Sequence, residues 1–544
     1  MRGEPWSDRK RRRAATAVVG ALCAFYFLAA LWITRDHYPA PPDALHNAIV
    51  ARNLARGNGF KINMINHHVG RFADVEHVAE MHGMLQPLAL AGLFALAGPV
   101  RAMFRVPGFL YVALTGFVTF VYARRVFGTG AGLVACALTL SSSLLWLWAW
   151  FGTDDAGFAF WFLVALFALD VAIEKRSSQR FAIAGLAAAF ALLQKLSGLI
   201  LLAPLLAITL DRGAPARSRR RWAAIWLAPW SLALALNVVR NRIATGGWTF
   251  RFGPIGWIYK AYGLEPYFGV YDPMPSLGSV LGRLGSEKVI SIMLGQLGDF
   301  ARAALSPTPV FSVDPLNRLM APGFLSLVGL AALVFHARRR PRFATLSTLS
   351  LLGSVGFVCG VWHYETRYFS LLVPLLAISI AGAIVTAWPA APMRRNAAFA
   401  LAAAGVGLAS VGLAVWVFAV SLRAVPLFGG PIGCQEAFYW IGRETAPSDR
   451  ILTFDPWSIS WATERASIVI PSGSRSDVER VVAWYDPVWL VVTPEYLRQG
   501  SVHQIREMLA NPTAAFSASP VFLDGDCAIY RITRPASGPI RALP

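Results

Sequence analysis

The sequence predicts a polytopic α-helical membrane protein with about 11 transmembrane helices and a small extracytoplasmic α/β domain near its C-terminus. Three observations lead to this fold class. Hydrophobic residues make up 56% of the 544 positions, against about 45–50% in soluble domains. They are collected into long blocks separated by short basic loops. Strand-like and helix-like runs then alternate over about the last hundred residues, a usual domain size.

A block of about 20 mainly apolar residues is long enough to cross a hydrocarbon layer about 30 Å thick. Basic residues precede the first block and no small-residue cleavage site follows it, so we predict a retained signal anchor. The predicted spans are residues 14–33, 107–123, 130–151, 157–173, 180–194, 196–210, 222–239, 322–336, 343–361, 369–388 and 397–421.

The formal net charge of +20 is compatible with nucleic-acid binding, but its distribution argues against that function. Arginines cluster in the short loops between spans, as at Arg124 and Arg125, Arg219 to Arg221, and Arg338 to Arg340. This positive-inside pattern predicts a cytoplasmic N-terminus and membrane lipids, with no nucleic acid, as partners. The excess of arginine over lysine suggests a GC-rich bacterial genome, and therefore the bacterial plasma (inner) membrane as the location.

The same sidedness predicts which segments lie outside. The apolar stretch Leu85 to Ala97 must not cross the bilayer, so we predict a helix at the outer interface. The outer segments are then residues 34–106, 240–321 and 422–544. We accordingly predict a multispanning membrane domain over residues 1–421, containing the first two of these segments, and an extracytoplasmic α/β domain over residues 422–544.

Five cysteines divide between these two regions. Cys23, Cys136 and Cys359 fall inside predicted spans and are expected to be buried apolar residues. Cys434 and Cys527 bracket the C-terminal domain, whose compartment permits oxidation. Either a disulfide or two thiols is compatible with the sequence, because spacing alone does not show how closely their Cα atoms approach.

The first outer segment opens with a predicted short helix between Pro41 and Gly57, which have the proline and glycine placement expected at helix ends. Asp43 lies in its first turn, where the helix dipole favours a carboxylate able to accept a proton or bind a cation. His46, three residues later, shares its face. A purely structural role for Asp43 at the helix end is the alternative.

A second acidic pair, Asp154 and Asp155, precedes the span that starts near residue 157. The topology puts this pair on the same outer side as Asp43. One carboxylate can deprotonate an acceptor hydroxyl while another positions it or a divalent cation. Alternatively, the pair compensates the helix dipole, and the neighbouring Trp146, Trp148 and Trp150 form an interfacial aromatic belt.

Three cations also fall on the outer side, against the topological bias. Lys195 lies between two spans, and Arg240 and Arg367 lie at span ends. Cations at such positions need partners. Phosphate is a suitable one, because guanidinium binds it bidentately and ammonium binds it as a point charge. Snorkelling to lipid headgroups is the alternative for each of them.

The loop before Leu85 carries several histidines and acids, including Glu80 and His82. No spacing matches a strong zinc signature, so no metal site is predicted and solvated loop polarity is the favoured interpretation. No cofactor is firmly predicted either, and a divalent cation is left open. Glu80 and His82 lead directly into the predicted interfacial helix, which makes them candidates for substrate contact.

In their order and sidedness, these features resemble the GT-C glycosyltransferases that use polyprenyl-phosphate sugars, in the branch of the protein O-mannosyltransferases and the lipid A aminoarabinose transferase. The resemblance covers most of the chain in architecture. It is carried by Asp43 with the stretch 51–60, Asp155 with residues 159–161, residues 194–198, Arg240 with Asn241, and Arg367 with Tyr368 leading to Pro374.

The resemblance implies a role for each of these residues. Asp43 is similar to the family's catalytic acid and is expected to act as base, with Asp154 and Asp155 as the second acidic site. Where many relatives have another acid beside the first, this chain has Ala44, which argues against a firm metal requirement. Candidates for binding the donor phosphate are Lys195, Arg240 and Arg367, and candidates for binding substrate are His46, Arg52, Glu80, His82 and Tyr368.

The implied reaction is an inverting displacement, in which an extracytoplasmic acceptor attacks the anomeric carbon of a polyprenyl-phosphate-linked sugar. A polytopic transporter or flippase is the main alternative, although transporters place charges near the midplane and often contain inverted repeats. A non-enzymatic scaffold is the third possibility. The sequence does not identify the sugar, the polyprenol or the acceptor.

Overall fold

A computed structural model describes residues 6–36, 41–248, 252–263, 268–305, 323–361, 365–387, 434–493, 501–511, 517–525 and 527–533. The chain divides into two compact units. The first unit contains Met1–Pro39, His82–Asn237 and Met293–Pro426. The second unit contains Ala40–Met81, Val238–Ile292 and Leu427–Pro544. The predicted domain boundary at residue 421 and the predicted span 397–421 lie outside the described residues, and both stay predictions.

Within the described residues, five helices are long and apolar enough to cross a membrane, or six if one bent helix pair counts as a span. The count of about 11 is therefore not confirmed. Four of the predicted spans form shorter helical segments, at Ser178–Gln194, Leu196–Leu210, Gly323–Arg339 and Val373–Ala387. The five long segments are Arg13–Ile33, Arg101–Phe127, Asp155–Lys175, Ala216–Thr245 and Pro341–Gly360, and the bent pair is Thr129–Leu140 with Leu144–Trp150.

The helices of the first unit surround one apolar core, in which large aromatic side chains such as Phe109, Phe162 and Trp226 are fully buried. The predicted helix at Leu85–Ala97 forms with those bounds, and its place at a membrane interface stays a prediction. In chain order the helices are α1 (Trp6–Ile33), α3 (Leu85–Ala97), α4 (Arg105–Phe127), α5 (Thr129–Leu140), α6 (Ser143–Trp150), α7 (Asp155–Lys175), α8 (Ser178–Gln194), α9 (Leu202–Leu210), α13 (Gly323–Arg339), α14 (Pro341–Gly360) and α15 (Val373–Ala387).

The predicted aromatic belt is wrong for two of its three tryptophans. Trp146 and Trp150 are each 2% exposed and belong to the core of the first unit. Their rings lie 5.5 Å apart, and Trp146 also contacts Phe109. Helix α6 is apolar around its whole circumference, so burial is available to both side chains.

The second unit contains α2 (Pro42–Ala55), α11 (Phe252–Tyr262) and a six-stranded sheet. Two further helices, α10 (Ala216–Thr245) and α12 (Leu277–Leu305), contribute residues to both units. The strands are β2 (Met64–Ile65), β4 (Arg450–Thr453), β5 (Ala466–Val469), β6 (Trp489–Val492), β7 (Ser517–Asp524) and β8 (Cys527–Thr533), with β1 (Lys61–Ile62) and β3 (His77–Val78) forming a separate pair.

The sheet order is β2-β5-β4-β6-β8-β7. Its first four strands are parallel, and β8 and β7 add antiparallel to them. The edge strand β2 comes from the first predicted outer segment, and Met64 pairs with Ser467 of β5. Parallel strands buried on both faces are apolar throughout, as in the Trp489–Val492 run. The helices of this part of the unit are α16 (Gln435–Glu444), α17 (Pro456–Thr463), α18 (Arg475–Tyr485) and α19 (Ser501–Ala510).

A disulfide joins Cys434, at the start of α16, to Cys527, at the start of β8, with their Cα atoms 5.6 Å apart. This resolves the alternative that the sequence left open. The bond closes a loop of 93 residues, a length over which a cross-link restricts the unfolded chain considerably. The other cysteines, Cys23, Cys136 and Cys359, are buried thiols, as predicted.

Candidate functional site

The first unit contains a group of three carboxylates and two cations that we call the cation–carboxylate cluster: Asp154, Asp155, Glu365, Lys195 and Arg367. Asp154 is the N-cap residue of α7, and Asp155 is its first residue. Lys195 directly follows α8, and Arg367 lies in a short 3-10 helix over Thr366–Phe369. Residues from three separate segments are therefore needed to build it.

Lys195 binds both aspartates. Its Nζ lies 2.5 Å from Oδ1 of Asp155 and 3.0 Å from Oδ1 of Asp154. The two carboxylates are only 1% and 2% exposed, whereas Lys195 is 12% exposed. Because a buried carboxylate is stable only when it is paired, the ammonium group is what allows two adjacent aspartates to remain in this position. The two acids also lie at the start of α7, where the helix dipole favours negative charge.

Arg367 connects the other members of the cluster. Its Nη1 lies 4.0 Å from Oδ2 of Asp155, and its Nε and Nη2 both contact the carboxylate of Glu365, with Nη2 at 3.1 Å. The Arg367 side chain is 15% exposed, and Glu365 is 30% exposed. Both cations are therefore fixed by carboxylates while keeping some access to the surroundings.

Uncharged donors form hydrogen bonds at the carboxylate end of the cluster. Thr153 Oγ1 donates to Oδ2 of Asp155 at 3.0 Å, and Gln194 Nε2 donates to the backbone carbonyl of Asp154 at 3.2 Å. Gln194 also donates to Oε1 of Gln86, whose own amide donates to the carbonyl of Gly152. Preorganised surroundings of this kind fix side chains in one geometry. The sequence interpretation did not include Gln86 or Glu365.

Aromatic rings flank the two cations. Lys195 Nζ is 5.5 Å from the ring centre of Tyr368, and the Arg367 guanidinium carbon is 5.7 Å from that of Trp148. Cations over aromatic faces are stabilised by the ring quadrupole. An apolar cavity of about 310 Å³ is lined by Phe369, next in sequence to Tyr368, together with Phe300, Leu330, Leu351, Leu372 and Leu376.

The cluster keeps its lysine charged. Burial by itself would lower the pKa of Lys195, but Asp154 and Asp155 raise it above its ordinary value.

His82 Nδ1 lies 3.8 Å from Oδ2 of Asp154, at the edge of ion-pair distance. The predicted residues Asp154, Asp155, Lys195, Arg367, Tyr368 and His82 are thus gathered in one part of the first unit.

The remaining predicted site residues belong to the second unit, beginning with those on α2. That helix begins at Pro42, and its N-cap residue, Pro41, makes no side-chain capping bond. Asp43 lies in the first turn and is half-buried, while His46 is 2% exposed. Asn47, four residues after Asp43, is completely buried, and neither its amide nitrogen nor its oxygen has a hydrogen-bond partner among the described residues.

Arg52, at the other end of α2, is held by α17. Its two terminal nitrogens donate to the carbonyls of Trp461 and Ser460 at 2.8 and 2.9 Å. These are among the last carbonyls of α17, which have no partners within the helix. Burial lowers the pKa of Arg52 to about 10, which leaves it charged at neutral pH. These contacts are structural, and substrate binding by Arg52 stays a prediction.

Glu80 and Arg240 meet in the second unit, where Nη2 of Arg240 donates to the backbone carbonyl of Glu80 at 2.8 Å. The Glu80 carboxylate lies 3.3 Å from Nε2 of His67 and 3.5 Å from Nε2 of His77. Burial by itself would raise the pKa of Glu80, but the two histidines hold it well below its ordinary value. We call Glu80, His67 and His77 the histidine–glutamate cluster.

The interpretation of this loop as solvated polarity is wrong for its central members. Both His67 and His68 are at most 1% exposed, and Glu80 is 4% exposed. His68 Nε2 is 2.7 Å from the carbonyl of Val469 on β5, which anchors the loop to the sheet. No group of three or more potential metal ligands is found among the described residues.

Of the three predicted phosphate-binding cations, the structure brings Lys195 and Arg367 together through Asp155. Arg240 belongs to the second unit, with Glu80. The sequence indicated this pair because both cations are predicted to lie on the outer side of the membrane. Gln194 was indicated only as part of the stretch 194–198, and no signal in the sequence identified Glu365 as a neighbour of this site, because both contacts depend on tertiary packing.

A family model described as dolichyl-phosphate-mannose-protein mannosyltransferase matches residues 81–240. A sequence search of curated proteins finds no significant match. The family match contains the first two segments of the cation–carboxylate cluster, including Asp154, Asp155 and Lys195.

Solved structures match over nearly the whole chain. The crystal structure of ArnT from Cupriavidus metallidurans bound to undecaprenyl phosphate gives a TM-score of 0.56 at 15% identity, covering 96% of this chain and 99% of that chain. Archaeal oligosaccharyltransferase AglB from Archaeoglobus fulgidus, in complex with an inhibitory peptide and a dolichol-phosphate, gives 0.54 at 12% identity, covering 90% and 70%. The resemblance to the GT-C glycosyltransferases is confirmed, and the chain is a membrane protein with that fold.

Proposed function

We propose from the GT-C fold that this chain is a membrane glycosyltransferase that transfers a sugar from a polyprenyl-phosphate donor to an extracytoplasmic acceptor. The bacterial inner membrane is the proposed location, with the N-terminus in the cytoplasm. The observation that carries the proposal is the cation–carboxylate cluster, in which Lys195 and Arg367 are fixed side by side around Asp155. We assign these two cations to the donor phosphate.

The cluster is suited to a phosphate because its cations are held before any ligand arrives. Asp154 and Asp155 accept two of the three N–H hydrogen bonds that Lys195 can donate, which leaves one N–H for a ligand oxygen. Arg367 presents a planar guanidinium group, whose geometry matches phosphate oxygens. In this proposal Asp154 and Asp155 act as positioning residues for the cations, and Tyr368 and His82 line the same site.

In this proposal the apolar cavity binds the lipid part of the sugar donor. Its lining includes Phe369, two residues after Arg367, and Leu372. A volume of about 310 Å³ accommodates part of an isoprenoid chain rather than the whole of it. A ligand with a charged phosphate and a long apolar chain therefore finds complementary surroundings for both parts within the first unit.

The proposed reaction is a single inverting displacement. An acceptor oxygen or nitrogen forms a bond to the anomeric carbon as the bond between that carbon and the phosphate oxygen breaks. The electron pair of the broken bond remains on the polyprenyl phosphate, whose growing negative charge is stabilised by Lys195 and Arg367. The acceptor proton passes to a base.

The resemblance assigns that base to Asp43, and its half-buried carboxylate in the first turn of α2 is compatible with the assignment. His46, Arg52 and Glu80 remain proposed substrate contacts on the same ground. Arg240 remains a proposed phosphate ligand, and its bond to the carbonyl of Glu80 uses one of its five donors. No metal enters the proposed mechanism.

The test supplies radiolabelled polyprenyl-phosphate sugars and a crude envelope acceptor fraction to the purified protein in nanodiscs. Wild type is compared with Asp43→Asn, which removes the base while keeping the size of the side chain. A general base contributes about 10²- to 10⁴-fold, so transfer should fall by that factor. The control is Asp74→Asn, because Asp74 is an exposed acid of the second unit that pairs with Arg450 at 2.9 Å.

Transfer by wild type and by Asp74→Asn, but not by Asp43→Asn, supports the proposal in full. Normal transfer by Asp43→Asn removes the assignment of the base and leaves the glycosyltransferase. If wild type transfers no label from any donor, the activity itself is refuted, and a transporter or flippase becomes the better interpretation.

A further inference from the structure

The far end of α7 carries a second group of charges, around a cavity of about 320 Å³ in the first unit. We call it the arginine pocket. It is formed where the ends of α4, α7 and α13 meet the start of α14. The charged residues of its lining are Arg125, Asp170, Glu174, Arg339, Arg340 and Arg342. The proposed transfer reaction uses none of them.

Two of the four arginines are neutralised by the acids. Arg342 binds both Asp170 and Glu174, the latter at 2.6 Å, and Arg125 binds Glu174 at 2.7 Å. Asp170 is 2% exposed, so Arg342 is bound by a carboxylate that lies inside the protein. Lys175 also approaches Glu174, at 3.4 Å. This network fixes the walls of the pocket but does not supply its excess of positive charge.

The excess comes from Arg339 and Arg340. Both side chains are exposed, and no carboxylate of the described residues lies within ion-pair distance of either one. Arg339 packs its guanidinium 4.2 Å from the ring centre of Phe335, which restricts its position. The pocket thus has two cations beyond those that its own acids neutralise.

The start of α14 adds to this positive potential. Arg340 is the N-cap residue and Pro341 follows at the first helical position, with no side-chain cap on the helix. The N-terminal end of this 20-residue helix therefore directs unpaired backbone donors and the positive end of its dipole toward the same region. Helix N-termini with nearby guanidinium groups are suitable for phosphate groups.

The length of α7 locates the pocket relative to the bilayer. Asp155 and Glu174 are separated by 19 helical steps, or about 28 Å. This distance is close to the hydrocarbon thickness of about 30 Å. The arginine pocket therefore lies at the membrane surface opposite to the cation–carboxylate cluster, and the positive-inside pattern makes that surface cytoplasmic.

We propose that the arginine pocket binds the headgroup of an anionic phospholipid in the cytoplasmic leaflet. The phosphate group contacts Arg339, Arg340 and the start of α14, while the acyl chains remain in the bilayer beside the helices. Basic pockets between transmembrane helices on this side are suited to such lipids. The site is separate from donor binding, so it does not depend on the proposed sugar transfer.

The test measures binding of fluorescent phosphatidylglycerol to the full-length protein in detergent, with phosphatidylcholine, whose headgroup is zwitterionic and has no net charge, as the comparison. Each basic residue near a phosphate contributes about fivefold in affinity, so Arg339→Ala with Arg340→Ala should weaken binding about 25-fold. Arg338→Ala is the matched control, because Arg338 is an exposed arginine of the same turn that does not line the pocket. It should change affinity by less than about twofold.

A loss restricted to the double variant, with an unchanged melting temperature, supports the proposal. An equal loss in Arg338→Ala means that the loop acts only through its general charge, and this overturns it. Inorganic phosphate is then added as a competitor. If millimolar phosphate binds with the same dependence on Arg339 and Arg340 and displaces the lipid fully, the pocket is a site for free phosphate, and the lipid assignment is overturned.

Discussion

The cation–carboxylate cluster of the first unit and the histidine–glutamate cluster of the second both bury carboxylates, but they neutralise them differently. Asp154 and Asp155 are paired with Lys195, whose charge persists at every ordinary pH. Glu80 is paired with His67 and His77, whose rings are charged only when both of their nitrogens are protonated. One cluster therefore has a permanent electrostatic structure, and the other depends on protons.

The hydrogen bonds of His77 make this dependence concrete. Its Nδ1 lies 3.0 Å from the carbonyl of Val75, and its Nε2 faces the Glu80 carboxylate at 3.5 Å. Both partners accept hydrogen bonds, so only the doubly protonated ring satisfies both of them. His67, by contrast, accepts from the backbone of Val69 and donates to Glu80, which a neutral ring does equally well. The cation–carboxylate cluster therefore has fixed charges, whereas the hydrogen bonds of the histidine–glutamate cluster require a doubly protonated ring only at His77.

The largest expected difference between the clusters is in stability. Lys195→Met leaves Asp154 and Asp155 buried without their shared cation, so the free energy of unfolding should fall by about 3–5 kcal/mol. His77→Gln leaves Glu80 with His67 and should lower it by about 2 kcal/mol. Denaturant unfolding of the purified protein at pH 7.5 measures both. Equal losses of unfolding free energy in the two variants would mean that a lysine and a histidine stabilise buried carboxylates to the same extent.

Acid should destabilise the second unit, because burial lowers the pKa of His68 to about 4, against 6.5 in the unfolded chain. Between these values the unfolded state binds a proton that the folded state does not. The free energy of unfolding therefore falls as the pH falls from about 6.5 to about 4, by about 3 kcal/mol in total. His68→Gln, whose amide can still donate to Val469, should remove this part of the pH dependence.

The shifts of Glu80 and Lys195 affect stability below about pH 4.5 and above about pH 10.5, respectively. The lowered pKa of Glu80 means that its contribution is present above about pH 4.5 and is lost only at lower pH. The raised pKa of Lys195 means that its contribution is present below about pH 10.5 and is lost only in strong base. A stability profile of His68→Gln that still falls between pH 6.5 and 4.5 would contradict the assignment to His68.

A smaller effect is expected from Glu365→Gln. In the cation–carboxylate cluster, Glu365 occupies donors of Arg367 that a phosphate would use. Since the pair is partly exposed, its removal should lower KM for the donor by up to about fivefold, with kcat unchanged. Asp299→Asn, which breaks the exposed pair with Arg302, is the control. A raised KM would show that Glu365 assists donor binding instead of competing with it.

Much of the fold was predictable because it depends on local patterns. Within the described residues, the apolar blocks and the helix at Leu85–Ala97 form close to the predicted residues, and strands alternate with helices between Gln435 and Val492 as predicted. Burial was harder to predict from pattern. Trp146 and His67 both lie in segments that suggested a surface location, yet tertiary packing covers them. The pairing of β2 with β5 also depends on a contact about 400 residues away along the chain, which periodicity does not reveal.

The sequence indicated the cations and acids of the site better than it indicated which of them form pairs. Sidedness indicated Lys195 and Arg367, since positive charge on the outer side needs a partner. The carboxylates that hold them were harder to identify. Asp155 was expected to take part in chemistry, yet it is 1% exposed and fixes Lys195. Glu365 was not predicted at all, because an acid two residues before an arginine has no distinctive spacing.

Binding of the donor phosphate by the cation–carboxylate cluster is tested most directly by the rate of sugar transfer by Arg367→Gln. The measured quantity is kcat/KM for a polyprenyl-phosphate sugar in nanodiscs, beside Arg302→Gln as an arginine of the same unit in an exposed ion pair. We predict that kcat/KM falls about 100-fold for Arg367→Gln, because the variant lacks a hydrogen-bond donor that stabilises the growing negative charge of the phosphate. It should fall less than about twofold for the control. Equal activity of the two variants, with both folded, would contradict the assignment of the donor phosphate to the cation–carboxylate cluster.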